Sequence, residues 1–153
     1  MPFPSLRDYL DNRRVMYSSI PHKVAYTSRA TARSAHVEAN EFAKPVIVKV
    51  DGELAMVVIP GDEEVNLIRV REVTHAREVE LASENEFEGR FPDCEAGAMP
   101  PLGNLYGVPM IVSKKLATQE RIAFNGGTHA ECVLLSYGTY ESLFSPEAAV
   151  LPL

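Results

Sequence analysis

The clearest pattern along the chain is a pair of β-rich apolar runs on either side of Asp51-Gly52, in PVIVKVDGELAMVVIP (45–60). Asp-Gly supplies the positive φ angles of a type I′ turn, so the segment predicts a two-stranded hairpin. Upstream, Leu6, Tyr9, Leu10 and Val15 recur at helical spacing. Ser5 is placed to cap that helix with Asp8 three residues on, which predicts a helix over 6–14. VMYSSIPH (15–22) reads as a short strand, and SRATARSAHVEAN (28–40), rich in helix formers, as a second helix. DEEVNLIRVREV (62–73) opens acidic and continues with Val65, Ile68 and Val70, a short helix. REVELAS (77–83) is a strand candidate. SENEFEGRF (83–91) starts with Ser83 and carries Glu86 three residues later, the signature of a capping box.

Beyond the loop EAGAMPPLG (95–103), VPMIVS (108–113) and RIAFNGG (121–127) read as strands, with KKLAT (114–118) as a helical turn between them. HAECVLLS (129–136) is a further strand, GTYESLF (138–144) a final short helix, and PEAAVLPL (146–153) a tail. Short strands and short helices without regular βαβ alternation predict an α+β fold. No boundary linker interrupts the pattern, so 1–153 reads as one domain, with the first helix and strand in 1–25.

Composition changes this picture little. The 153 residues suffice for a sizeable core, and the proportions of apolar and charged residues, 46% and 24%, are those of a globular chain. The start, MPFPSLRDYL, carries charges early and no apolar stretch of a secretory signal, and no run approaches the ~20 apolar residues of a membrane span. The expectation is a soluble cytoplasmic protein with no membrane partner. Two cysteines, Cys94 and Cys132, do not make a disulfide framework, so reduced thiols are expected. The net charge of −6 argues against broad electrostatic binding of nucleic acid, DNA included, while leaving room for a small basic patch at one end of an RNA. DNRRV (11–15) and SKKLATQER (113–121) are the local basic clusters: surface charge, or phosphate contacts that position an RNA without specifying it.

Three stretches have candidate chemistry. In EAGAMPPLG, Gly97 and Gly103 permit backbone angles closed to other residues, while Pro100 and Pro101 fix φ. Such a loop is either a rigid turn or a cradle that aims peptide N–H groups at a carbonyl or oxyanion. Lys44, at the mouth of the first hairpin strand beside a proline, is either a solvated strand end or a cation pointing into a cleft to hold a phosphate. In FNGGTHAE, the glycines before Thr128 and His129 allow close approach of another backbone or a ligand. His129 is either structural or a donor and proton carrier toward a substrate. His22, His36 and His75 show no metal-site spacing, and no Gly-rich phosphate loop of the Walker or dinucleotide type is present, so neither a metal nor a cofactor is expected.

The order of these pieces resembles the YbaK/ProX family of trans-acting aminoacyl-tRNA editing domains, related to the insertion domain of bacterial prolyl-tRNA synthetase. The matching pieces are AKPVIVKVDGELAMVVIP with its lysine, GAMPPLG as the family's Gly-xxx-Pro loop, and NGGTHAECVLL leading into a final helix; together they span about 26–144. The resemblance implies a single α+β domain around a mixed, partly barrel-like sheet with short flanking helices. It implies hydrolysis of a wrongly attached amino acid from the 3′ end of a tRNA, by water helped by the substrate's own ribose hydroxyl. In that reading Lys44, Gly97, Ala98 and Met99 carry catalysis, the loop amides holding the ester carbonyl and Lys44 meeting the terminal adenosine. Pro100, Pro101, Gly103, Gly127 and His129 would contact substrate. The implied partners are the aminoacyl-tRNA acceptor end and an aminoacyl-tRNA synthetase. The alternative is a non-catalytic domain of the same fold that binds a small ligand or a protein.

Overall fold

The structure is a computed structural model that describes residues 4–145 and 148–153. Two sheets organise it. Strands β2 (Ala43–Val50) and β3 (Glu53–Pro60) form the expected hairpin, joined through Asp51 at φ +49° and Gly52 at φ +85°. The antiparallel strand β4 (Val79–Leu81) lies on the outer edge of β2. On the other side, β5 (Met110–Ser113) runs parallel to β3, and β8 (Ala149–Leu151) runs parallel to β5. This mixed sheet has the order β4-β2-β3-β5-β8.

The second sheet is antiparallel, with β7 (Glu131–Ser136) between β1 (Ser18–Pro21) and β6 (Arg121–Asn125). A parallel bridge from Phe42 to Ala123 ties the start of β2 to β6. Helices α1 (Pro4–Asn12), α2 (Ser28–Ser34), α3 (Leu67–Thr74), α4 (Glu84–Phe87) and α5 (Tyr137–Ser142) flank the sheets, so the fold is α+β as expected.

The apolar run of β3 shows why the mixed sheet is central. Side chains alternate across a strand. Met56 and Val58 enter the main core with Leu6 and Leu10 of α1, Phe124 of β6 and Tyr140 of α5. Ala55, Val57 and Ile59 face the other way, onto Val70 of α3. A strand covered on both faces reads as continuously apolar, as residues 55–60 do.

Several elements differ from expectation, each for a local reason. The first helix already contains Pro4, so Ser5 lies inside it rather than before its start. The stretch 28–40 is not one helix. It ends where His36 adopts φ +60°, and a separate 3₁₀ turn, Ala39–Glu41, follows. The acidic start of 62–73 is a loop, because Asn66 caps α3 by accepting a hydrogen bond from the Arg69 amide at 3.0 Å. The capping box at Ser83 and Glu86 is present, but α4 lasts four residues before a 3₁₀ turn. The tail is not all loose chain: residues 149–151 form β8, with Val150 packed on the core. Pro146 and Glu147 of that stretch lie outside the described residues. Among the described residues no helix is long and apolar enough to cross a membrane.

Candidate functional site

Phe42, extended just before β2, and Lys44 within it stand two apart, and Ala123 and Asn125 two apart on β6, so each pair points to one side of its chain. The parallel bridge from Phe42 to Ala123 sets the two strands side by side, bringing Lys44 and Asn125 to the same place. Both line a cavity of ≈ 370 Å³ whose wall also includes Tyr26, Arg29, Thr31, Gly61, Glu64 and Gly97. The Lys44 ammonium donates to the carbonyl of Glu63 in the loop after β3. Glu63 is in turn held through its carboxylate by Lys115 at 3.0 Å.

The Pro-Gly loop reaches this cavity at Gly97, in the left-handed region at φ +79°. Its shape comes from a set of bonds to the turn between β6 and β7. The Glu95 amide donates to Gly127 O at 2.8 Å, and the Gly127 amide donates back to Ala98 O at 3.0 Å. The Glu95 carboxylate accepts from the His129 amide at 2.6 Å, and His129 Nε2 lies 2.6 Å from Ala96 O. The Ala98 amide donates to Glu95 O at 3.0 Å, within the loop itself. Among the described residues the amides of Gly97 and Met99 donate to no protein group.

His129 is 9% exposed, with Cε1 3.7 Å from where a Cβ on Gly97 would sit. The ring therefore braces the loop from behind. Tyr26 also packs against the His129 ring, ring centroids 4.7 Å apart.

The sequence-predicted residues thus divide by place. Lys44 and Gly97 meet at the cavity. His129 and Gly127 hold the loop that carries Gly97. Met99 is 4% exposed and lines, with Cys94, Phe87 and Phe91, a neighbouring cavity of ≈ 290 Å³ that Gly97 also borders. Ala98 is fully buried, and its amide is committed to Glu95 O within the loop. Pro100, Pro101 and Gly103 are buried beneath the loop. Pro101 O accepts from the Tyr140 hydroxyl at 2.8 Å, and a Cβ on Gly103 would stand 2.5 Å from Val108 O. These three serve the packing that supports the loop.

Burial pushes the Cys132 thiol up to about 12, and burial also raises Cys94 despite a 3.4 Å contact with the Tyr106 hydroxyl. Neither is a thiolate near neutral pH. The basic clusters are partly engaged elsewhere: Arg121 pairs with Glu41 at 2.9 Å, and Lys115 with Glu63.

Sequence reasoning missed Asn125. It is 7% exposed, lines the cavity, and its Oδ1 has no hydrogen-bond partner among the described residues. Burial of an unpaired amide oxygen costs stability, on the order of 1–3 kcal/mol, so such an atom marks a place where a ligand donor fits. Only the strand pairing exposes that role, since FNGG itself gives no sign of the missing partner.

The fold has counterparts among solved structures. The described fold superimposes on the crystal structure of hypothetical protein APE2540 with a TM-score of 0.82 at 21% identity, covering 95% of this chain and 97% of that one. It also superimposes on a candidate trans-editing enzyme for prolyl tRNA synthetase with a TM-score of 0.78 at 17% identity, covering 98% of each chain. At these identities the likeness is one of fold.

A proline–tRNA ligase of Bacillus cereus (strain G9842) is 35% identical over 83 residues, and one of Bacillus anthracis (strain CDC 684 / NRRL 3495) matches to the same extent. Each alignment spans 54% of this chain but only 14% of the ligase. The family profile described as "Aminoacyl-tRNA editing domain" matches residues 22–143. Matched over that span, the chain belongs to the aminoacyl-tRNA editing domain family.

Proposed function

We propose that the protein hydrolyses the ester between a wrongly attached amino acid and the 3′ end of a tRNA, acting in trans to a synthetase. The observation that carries this reading is the convergence of three residues on one ≈ 370 Å³ cavity: the cation Lys44, Gly97 with its uncommitted amide, and Asn125 with its unpaired side-chain oxygen. Each suits one part of an aminoacyl ester. Lys44 sits in place to meet the negatively charged nucleotide end, exchanging its bond to Glu63 O for a phosphate or ribose oxygen. The Gly97 N–H is a preorganised donor for the carbonyl oxygen as it gains charge. The Asn125 oxygen accepts from a ligand donor such as the amino acid's ammonium or a ribose hydroxyl.

In this mechanism water adds to the ester carbonyl carbon, and the resulting oxyanion is held by Gly97. Collapse breaks the bond to the ribose oxygen, which leaves with a proton; the neighbouring ribose hydroxyl relays the proton given up by water. The products are the free amino acid and a tRNA with its terminal hydroxyl restored. No side-chain nucleophile is required, which suits a cavity that neither cysteine lines and a chain whose two thiols, Cys94 and Cys132, are both held protonated by burial. Editing by a second pocket is the physical remedy where a synthetase cannot exclude a smaller amino acid, since one methylene is worth only ~1–3 kcal/mol. The partial likeness to proline–tRNA ligases supports a prolyl system as the first place to look.

The test is deacylation of a panel of mischarged tRNAs carrying Ala, Cys, Ser or Thr, with wild type beside Lys44→Ala. Hydrolysis of one pairing, lost in the variant while its fold is retained, is the expected result. Failure to hydrolyse any pairing by folded wild-type protein would leave a ligand- or protein-binding domain as the better reading.

A further inference from the structure

The mouth of the cavity carries features that ester hydrolysis alone does not use. Tyr26 is 76% exposed, although aromatic rings are usually well covered. It is not a loosely held side chain. The preceding residue, Ala25, donates its amide to His129 O at 3.0 Å, and one side of the Tyr26 ring rests against the His129 ring, tilted by 50°. His129 is itself fixed against Ala96 O. Tyr26 is thus a supported ring with the rest of its surface open to solvent beside the cavity.

Arg29 borders the same cavity. Its guanidinium donates to Asp62 O at 3.0 Å, much as Lys44 donates to Glu63 O one residue further along the same loop. Among the described residues neither cation has an ion pair with a carboxylate; Glu64 also borders the cavity but bridges to neither. In a chain with 21 acidic and 15 basic residues, two cations facing one cavity on neutral carbonyls alone are a local exception to the overall charge. Neutral carbonyls are weaker partners for a cation than an anion is, so both groups are set to exchange them for a phosphate.

We infer that Tyr26 and Arg29 form a nucleotide-binding lip for an unpaired RNA 3′ end, the base stacking on Tyr26 and a backbone phosphate meeting Arg29. This deepens the editing reading and rests on it for the identity of the RNA. Aromatic stacking with a nearby cation is the general means of holding single-stranded nucleic acid. The arrangement distinguishes an ester carried on RNA from a free amino-acid ester, which lacks both base and phosphate.

The chain has no tryptophan, so Tyr26→Trp places a single fluorescent reporter at the lip. The probe is an uncharged RNA hairpin with four unpaired 3′ nucleotides, compared with the same hairpin made blunt. Quenching of the introduced indole by the overhanging RNA and not by the blunt one is expected. Tyr26→Ala should weaken binding of the overhanging RNA roughly 5- to 100-fold, with Tyr26→Phe near wild type. Arg29→Ala should lower the slope of log affinity against log salt by about 0.7. An unchanged indole signal in Tyr26→Trp, or wild-type affinity in Tyr26→Ala, overturns the lip.

Deacylation separates this from the underlying reading. If the indole responds to the overhang while no mischarged tRNA is hydrolysed, the lip stands and the editing reading falls. If a mischarged tRNA is hydrolysed with unchanged KM in both Tyr26→Ala and Arg29→Ala, editing stands and the lip falls.

Discussion

Gly97→Ala is the sharpest probe of the loop, because Gly52 supplies its control. Both glycines hold positive φ, +79° at Gly97 and +85° at Gly52. A Cβ in the left-handed region costs roughly 1–2 kcal/mol, so each substitution should destabilise by about that amount. For a chain of this size that lowers Tm by roughly 2–8 °C.

The surroundings then separate them. A Cβ at Gly52 meets nothing within 4 Å, so Gly52→Ala strains a hairpin turn and no more. A Cβ at Gly97 lies 3.7 Å from His129 Cε1 and 3.9 Å from Nε2. Those are ordinary contacts, so the histidine ring need not move. The strain is relieved by rotating the loop away from φ +79°, which redirects the N–H proposed to meet the oxyanion. Loss of one such donor costs about 100- to 1000-fold in kcat. The assay is single-turnover deacylation of the mischarged tRNA identified by the panel, beside thermal melts of both variants. Similar Tm losses are expected, with hydrolysis falling at least ~100-fold only in Gly97→Ala. Wild-type hydrolysis in Gly97→Ala, or an equal loss in Gly52→Ala, would refute the role given to the loop.

Asn125→Ala removes a buried oxygen that has no partner, so thermal melts should show stability kept or raised while deacylation falls; a loss of stability with unchanged hydrolysis would mean that Asn125 serves packing. The Glu86 carboxyl is held down to about 2, first by the Lys49 ammonium at 2.6 Å and then by Ser83. A lowered carboxylate stabilises above its ordinary 4.5, and that stabilisation is lost as pH falls toward about 2. Between about pH 6 and about pH 2 the Tm of Glu86→Gln should therefore fall less than that of wild type. Cys94 and Cys132 are both protonated at neutral pH, so iodoacetamide at pH near 8 should label the folded protein slowly, and Cys94→Ala with Cys132→Ala should retain hydrolysis; inactivation by alkylation of either thiol would contradict a water nucleophile.

What the sequence made legible was local. Asp51-Gly52 between two apolar runs specifies a hairpin within a few residues, and the Ser83–Glu86 capping box is complete in four. Strand β8 was not legible, because its partner β5 lies almost forty positions away and contributes only three paired residues. The 28–40 stretch misled because propensity favours helix throughout, while the chain must turn at His36 to bring Val37 and Phe42 into one small cluster with Ala32. Lys44 and Gly97 stood out by residue type. Asn125 did not, since its interest lies in a partner it lacks, and a missing partner is a property of the fold.

The loop shows why residue type alone overstates a site. From composition, the non-proline residues Gly97, Ala98 and Met99 are equivalent donors. In the fold, the Ala98 amide donates to Glu95 O within the loop, and Ala98 O accepts from Gly127. Those two bonds, with the bonds of Glu95 and His129 across the loop, fix the direction of the Gly97 peptide. A donor that is preorganised needs no reorganisation when charge develops, but some neighbouring groups must be tied up to hold it. Ala98 therefore contributes by being unavailable to ligand. The buried Pro100, Pro101 and Gly103 extend the same logic downward: Tyr140 anchors Pro101 O, and Gly103 permits an approach to Val108 O that no side chain allows. Substitutions in this lower layer should act through the position of Gly97, lowering hydrolysis and stability together, whereas changes at Lys44 should lower hydrolysis with the fold intact.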